Sequence, residues 1–319
     1  MNPAFSVILL TTASGVGYGM LAWLGVLNAL RLLPSSPWFG IASIVVALAL
    51  CTVGLLASTF HLGHPERAWR SISQWRSSWL SREGVMALLT YLPALGFAVA
   101  WWFAGAGTGV AAVLGLLAAA CSLATVACQA MIYATLRPIR QWHHRLVLPN
   151  FLLLTLFTGA VWLAAAVALD NADAARLAAV IAAVFGVAAG VVKLAYWRDI
   201  DAAPSAATIE SATGLGFLGR VRMLESPHTE ENYLLREMGY AIARKHASRL
   251  RTIALAVGFI APLVLLLVSI ALGGLADRVL LPVAALAAAL GIYVERWLFF
   301  AEATHTVTLY YGRREERVA

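Results

Sequence analysis

Residues 61–84, HLGHPERAWRSISQWRSSWLSREG, gather two histidines, four arginines, two glutamates and three tryptophans in a chain that is 61% hydrophobic and 12% charged. Two of these side chains suit proton chemistry at the edge of an apolar phase. His61 closes one long apolar run and Glu83 opens the next. An imidazole exchanges protons near neutral pH, and a carboxylate can pass a proton on towards water. An ionisable group inside an apolar segment costs at least a few kcal/mol, so its presence there marks a site or a pathway. Arginines such as Arg76, Arg137 and Arg140 reach water by snorkelling, but a short acid and an imidazole cannot reach far.

The same edge collects other polar groups. Arg82 adjoins Glu83. Gln129 and Tyr133, four residues apart, share a helical face, and steps of seven and three predict the same for Glu295, Glu302 and His305. Counted from the loops, His61, Glu83, Tyr133, Glu302 and His305 form one layer. That layer suits a quinone, whose ring carbonyls take hydrogen bonds and, on reduction, two protons, and whose isoprenoid tail needs an apolar groove. The expected site is therefore His61 and Glu83 as proton-handling residues, with Arg82, Tyr133, Glu302 and His305 lining the pocket. Haem is the rival use of histidine, but only His61 and His305 offer a plausible axial pair, so no haem is expected. Cys51, Cys121 and Cys128 all lie in apolar runs without a C-x-x-C, which predicts no iron–sulfur cluster and no structural metal in this chain.

These residues must be held by membrane-crossing helices. Charged residues are about half as frequent as in a soluble domain, mean hydropathy is +0.80, and apolar runs of 20 or more residues recur. The spacing predicts eight spans, over 5–30, 39–62, 85–104, 109–135, 148–169, 174–197, 252–274 and 279–303, as one all-α membrane domain. The first lacks a basic leader and is expected to remain in the mature protein. The N-terminus, the loops 63–84, 136–147 and 198–251 and the tail hold 18 of the 23 lysines and arginines. Basic residues collect on the cytoplasmic side during insertion, so both termini are expected there. The net charge of +7 thus belongs to one face, with no need for nucleic acid. Trp69, Trp75, Trp79 and Trp142 are expected to anchor at the interface. Within the loop 198–251, residues 226–251 predict an amphipathic helix, with Leu234, Met238, Ala241 and Ile242 on one stripe. GLGFLG in that loop lacks a preceding strand and reads as a turn, not a dinucleotide site.

The stretches HLGHPERAW and SSWLSRE resemble the membrane-anchor subunit family of dimethyl sulfoxide reductase. MNPAFSVILLTT, LGRVRMLESPHTEENYLLREMGYAIARKHA and ERWLFFAEATHTVTLYYG extend the likeness over nearly the whole chain. The resemblance implies eight helices, no haem, and a quinone-reactive site (ubiquinone or menaquinone) to which His61 and Glu83 carry over by motif. His64 stands where the family commonly has lysine. The resemblance also implies a four-cluster iron–sulfur subunit and a molybdopterin subunit as partners in a bacterial inner membrane. A basic face is then a docking face, for which Arg67, Arg70 and Arg76 are the candidates. It fits the anchors of cytoplasmic sulfite-oxidising enzymes as well as those of dimethyl sulfoxide reductases, and a cytoplasmic docking face favours the former. A secondary transporter is disfavoured because prolines and glycines do not interrupt paired spans near the midplane. An anchor without a quinone site is the remaining alternative.

Overall fold

The computed structural model describes residues 3–60, 62–202, 207–222, 224–225 and 246–311. His61 and residues 226–245 of the amphipathic segment expected over 226–251 lie outside these residues. Among the described residues, eight helices are long and apolar enough to cross a bilayer, as the hydropathy pattern predicts. They are α1 (Phe5–Ala29), α2 (Pro37–Thr59), α3 (Trp79–Ala104), α4 (Gly109–Ala134), α5 (Val147–Asp170), α6 (Ala175–Ala202), α7 (Ala247–Leu272) and α8 (Asp277–Ala301).

α1 is the hub. It is buried almost continuously from Leu10 to Asn28 and packs on α2, α4 and α5. Its glycines permit this, because backbones meet backbones where lipid supplies no hydrophobic drive for association. A Cβ on Gly25 would fall 2.0 Å from the carbonyl oxygen of Gly115 on α4, and one on Gly159 of α5 would fall 2.1 Å from the backbone of Gly19. α3 lies on α4, α5 bridges to α6 and α8, and α7 closes against α8 and α6. One turn of α1, Leu10–Ser14, is widened to π geometry, and Ser14 Oγ donates to the Leu10 carbonyl at 2.6 Å. That bond satisfies a backbone group which has no water to turn to.

Two helices start more than a full turn earlier than hydropathy predicts, and in each the added turn is polar and bonded to protein. α3 begins at Trp79, capped by Ser78 Oγ, which accepts from Ser81 N at 3.4 Å. α7 begins at Ala247 and carries Arg251 into a buried ion pair. GLGFLG forms a turn, with Gly214 and Gly219 at φ +71° and +116°, backbone conformations that a side chain would strain. α8 ends at Ala301, so His305 is not on its face as predicted. It follows the helix and forms an isolated antiparallel bridge with Ile139.

Candidate functional site

Glu83 sits one turn inside α3, only 6% exposed. Gln129 Nε2 on α4 donates to its Oε1 at 2.8 Å, which explains how the acid is held in an apolar bundle. The loop before α3 lies over this turn. Ser81 Oγ donates to the Ser71 carbonyl, and Gly84 leaves room for Ile72, whose Cγ2 would be 3.2 Å from a Cβ there. One helical turn beyond Gln129, Tyr133 is caged by Trp142, Phe151, Phe299 and Phe300, with ring centroids 5.1 to 5.8 Å away. Tyr133 feels the charges of both Glu83 and Arg296. Trp142 is therefore buried, donating from Nε1 to the Phe299 carbonyl at 2.9 Å, and is not the interface anchor predicted for it. Trp69 and Trp75 are exposed and Trp79 is half-buried.

α1 adds a residue that sequence reasoning missed. Tyr18 is 1% exposed, its hydroxyl has no hydrogen-bond partner among the described residues, and it lies within the electrostatic range of Glu83. A buried hydroxyl without a partner is destabilising and calls for a ligand or water. The only cue in sequence is a bulky polar ring set among glycines in GVGYGM.

An apolar groove of about 390 Å3 runs between α1, α2 and α8, lined by Phe5, Leu9, Val53, Leu56, Phe60 and Tyr293 among others. Its Phe60 end is level with Glu83. Thr52 and Tyr91 are hydrogen-bonded at 2.7 Å and tie α2 to α3 at one level. Eight residues from each towards the arginine-rich side lie Phe60 and Glu83, both about 12 Å further along. Phe60 is also the residue before His61. The described cavities include a larger one of about 600 Å3 on the opposite side, lined by Trp38, Phe39, Ser43, Trp162 and Asp170 among others. Its one acid is Asp170 at a helix end, and it lies at the end of the bundle away from Glu83.

The other predicted site residues form different clusters. Arg82 turns back on the loop, donating from Nε to the Trp75 carbonyl at 2.9 Å and from Nη2 to that of Arg76 at 2.7 Å, with its guanidinium over Trp79. Glu302, 6% exposed, accepts from Arg251 Nε at 2.8 Å. Arg251 also grips both carboxylate oxygens of Asp201, at 2.5 and 3.1 Å. Burial pushes the Glu302 carboxyl above the ordinary carboxylate value, although Arg251 pulls the other way. Burial also holds the His305 imidazole below its usual value, and its Nδ1 accepts from Val307 N at 3.0 Å. Arg67, Arg70 and Arg76 are exposed; Arg67 is 3.7 Å from Glu66, while Arg70 and Arg76 cover the rings of Trp69 and Trp75.

A third cluster was visible in sequence only as isolated charges in spans. Lys193 on α6 pairs with Glu295 on α8, and Arg296 Nε reaches the other Glu295 oxygen at 2.9 Å. All three are 3% exposed or less. Arg296 lies over Phe151 at 4.0 Å, and Phe151 stacks on Tyr133, so this cluster adjoins the Tyr133 cage.

The comparisons with known proteins agree with this architecture. The chain is 35% identical to a protein of Allochromatium vinosum whose name makes it a component of sulfite dehydrogenase; the 327 aligned positions cover 98% of this chain and 99% of that relative. A family model described as DMSO reductase anchor subunit (DmsC) matches residues 5–312. With eight apolar helices and that match over nearly its whole length, the chain is a multi-pass membrane protein and belongs to the DMSO reductase anchor subunit (DmsC) family.

Proposed function

We propose that this chain is the quinone-reactive anchor of a sulfite-oxidising molybdopterin complex, taking electrons from an iron–sulfur subunit on its arginine-rich face. The observation that carries the proposal is the buried Glu83–Gln129 pair, level with the Phe60 end of the apolar groove, in a bundle that also leaves the Tyr18 hydroxyl without a partner among the described residues. A quinone, when bound, supplies two-electron chemistry and takes up two protons at its ring oxygens. The residues present fit that need: a hydroxyl left without a partner, a buried acid and a groove for an isoprenoid chain.

Glu83 holds or passes a proton near that headgroup position. Gln129 fixes its Oε1, which orients the carboxyl and leaves Oε2 as the oxygen that exchanges the proton. The Tyr18 hydroxyl donates to a ring oxygen, and the aromatic cage around Tyr133 excludes water. His61, which lies outside the described residues, is assigned to proton exchange with the aqueous side. Both termini and the docking face are assigned to the cytoplasm, where Arg67, Arg70 and Arg76 meet an acidic surface of the iron–sulfur subunit. A site close under that face keeps the electron-transfer gap short.

The substrate follows from the Allochromatium vinosum relative's name and from the cytoplasmic orientation assigned above. The family description favours the second reading, quinol oxidation for dimethyl sulfoxide reduction. Purified complex separates the two. Sulfite-dependent quinone reduction is expected, and quinol-dependent sulfoxide reduction without any sulfite activity would reverse the assignment.

A further inference from the structure

The Lys193–Glu295–Arg296 cluster plays no part in the pocket chemistry above, yet it sets three ionisable groups inside the bundle. Lys193 lies nine residues before the end of α6 and Glu295 six before the end of α8, about 13 and 9 Å below those helix ends. Two cations face one anion, so the cluster carries one uncompensated positive charge where charge is costly. Shedding one proton would neutralise it. Arginine stays protonated in proteins and ionised Glu295 has no proton to give, which leaves Lys193.

The choice of lysine is itself informative. Of the 23 lysines and arginines in the chain, only Lys193 and Lys245 are lysines. Everywhere else in its described spans and loops the protein uses arginine, including at Arg296 and Arg251 beside it. The buried position has the one cation able to release a proton.

The surroundings connect Lys193 in both directions. Nζ lies 4.5 Å from the centre of the Tyr196 ring and 4.8 Å from that of Trp197, and the far side of the cluster is covered by Phe151 and Phe299 under Arg296. Trp197 also lies under Arg251, 5.3 Å away, which holds Glu302 and the half-exposed Asp201 at the arginine-rich end. Glu302 is within the electrostatic range of Lys193. On the inner side Arg296 Nη1 is buried with no hydrogen-bond partner among the described residues, and its charge acts on Tyr133 together with that of Glu83.

We propose that Lys193 is a proton-relay residue, delivering one of the two protons of quinone reduction and refilled from the aqueous face through Glu302. This rests on the quinone reading above. The Nζ–H bond breaks, and the proton crosses the ion pair to Glu295 and moves on to a ring oxygen as two electrons arrive from the iron–sulfur subunit. Glu83 supplies the other proton. Nζ then regains its proton from Glu302, which takes one from water beside Asp201. The protons gained by the quinone equal those lost by the two relays, and the electrons are the iron–sulfur subunit's.

Lys193→Met tests this without leaving an unmatched charge, since Glu295 and Arg296 remain paired. Lys193→Arg keeps the charge but cannot release a proton. In the assembled complex both variants are expected to bind quinone normally, while sulfite-driven quinone reduction falls about 10-fold or more. A readout without turnover comes from the resting complex with 15N-lysine in this protein, where this chain contributes two Nζ resonances. The one lost in Lys193→Arg should change with pH, and Glu302→Gln should slow its exchange with solvent. Normal turnover in Lys193→Arg, or an Lys193 resonance indifferent to pH, overturns the proposal. Quinone affinity is titrated in parallel: no saturable binding by the unmodified complex sinks the quinone reading and the relay together, whereas normal binding with a fully active Lys193→Arg sinks the relay alone.

Discussion

Glu83 and Tyr18 make separable demands. Glu83→Gln keeps a polar group opposite Gln129 but removes the exchangeable proton, so quinone reduction should fall by roughly 100-fold with quinone affinity little changed; stopped-flow reduction and a binding titration measure the two. Tyr18→Phe removes a hydroxyl that no described residue satisfies. It should leave thermal stability unchanged or slightly raised while weakening quinone binding several-fold, the worth of about one hydrogen bond. A third test concerns His144 and His305, both held by burial below the ordinary imidazole value, in His144 despite the nearby Asp199. A lowered imidazole value means that the unfolded chain binds protons more readily than the folded one. Stability of the purified protein should therefore be full above the ordinary value of about 6.5 and decline as pH falls through it towards the lower folded values. Asparagine at both positions should flatten that decline in a thermal melt. Glu83 was legible in sequence because a carboxylate at an apolar boundary is conspicuous. Tyr18 was not, because a tyrosine in a span is usual and only the packing leaves its hydroxyl without a partner.

At the scale of the helices, the eight crossings were legible because crossing a bilayer requires only length and apolarity. Their starts were less so. α3 and α7 begin before the apolar boundary where residues from distant parts of the chain meet their first turns: Gln129 donates to Glu83, and Glu302 pairs with Arg251. The same remoteness concealed the Lys193–Glu295 pair, which joins α6 to α8. Pairing of this kind depends on which helices are neighbours, and apolar patterning does not carry that information. The glycine contacts around α1 offer a direct check. Gly25→Ala places a methyl group 2.0 Å from the Gly115 carbonyl oxygen, and backbone has little room to yield. A loss of about 1 to 3 kcal/mol is expected from such overpacking. It should be seen as a lower melting temperature in detergent, whereas Gly63→Ala, which meets nothing within 4 Å, should be neutral.

For the whole molecule, one arginine-rich end combines the proposed partner surface, the Glu83 site and the mouth of the Lys193 relay. Exposed Arg67, Arg70 and Arg76 are free to meet a partner, whereas Arg82 holds the loop carbonyls. Reversing the first three to glutamate should weaken co-purification of the iron–sulfur subunit, with the defect largest at low salt, where attraction is least screened. Unchanged co-purification at every ionic strength would restrict these arginines to setting topology. The most direct measurement is the position of the quinone headgroup in a cryo-electron microscopy map of the assembled complex with quinone added. The account predicts density between Tyr18 and Glu83, on the same side as the iron–sulfur subunit. A headgroup in the cavity beside Trp38 and Trp162, or a partner seated on the arginine-poor side, would contradict it.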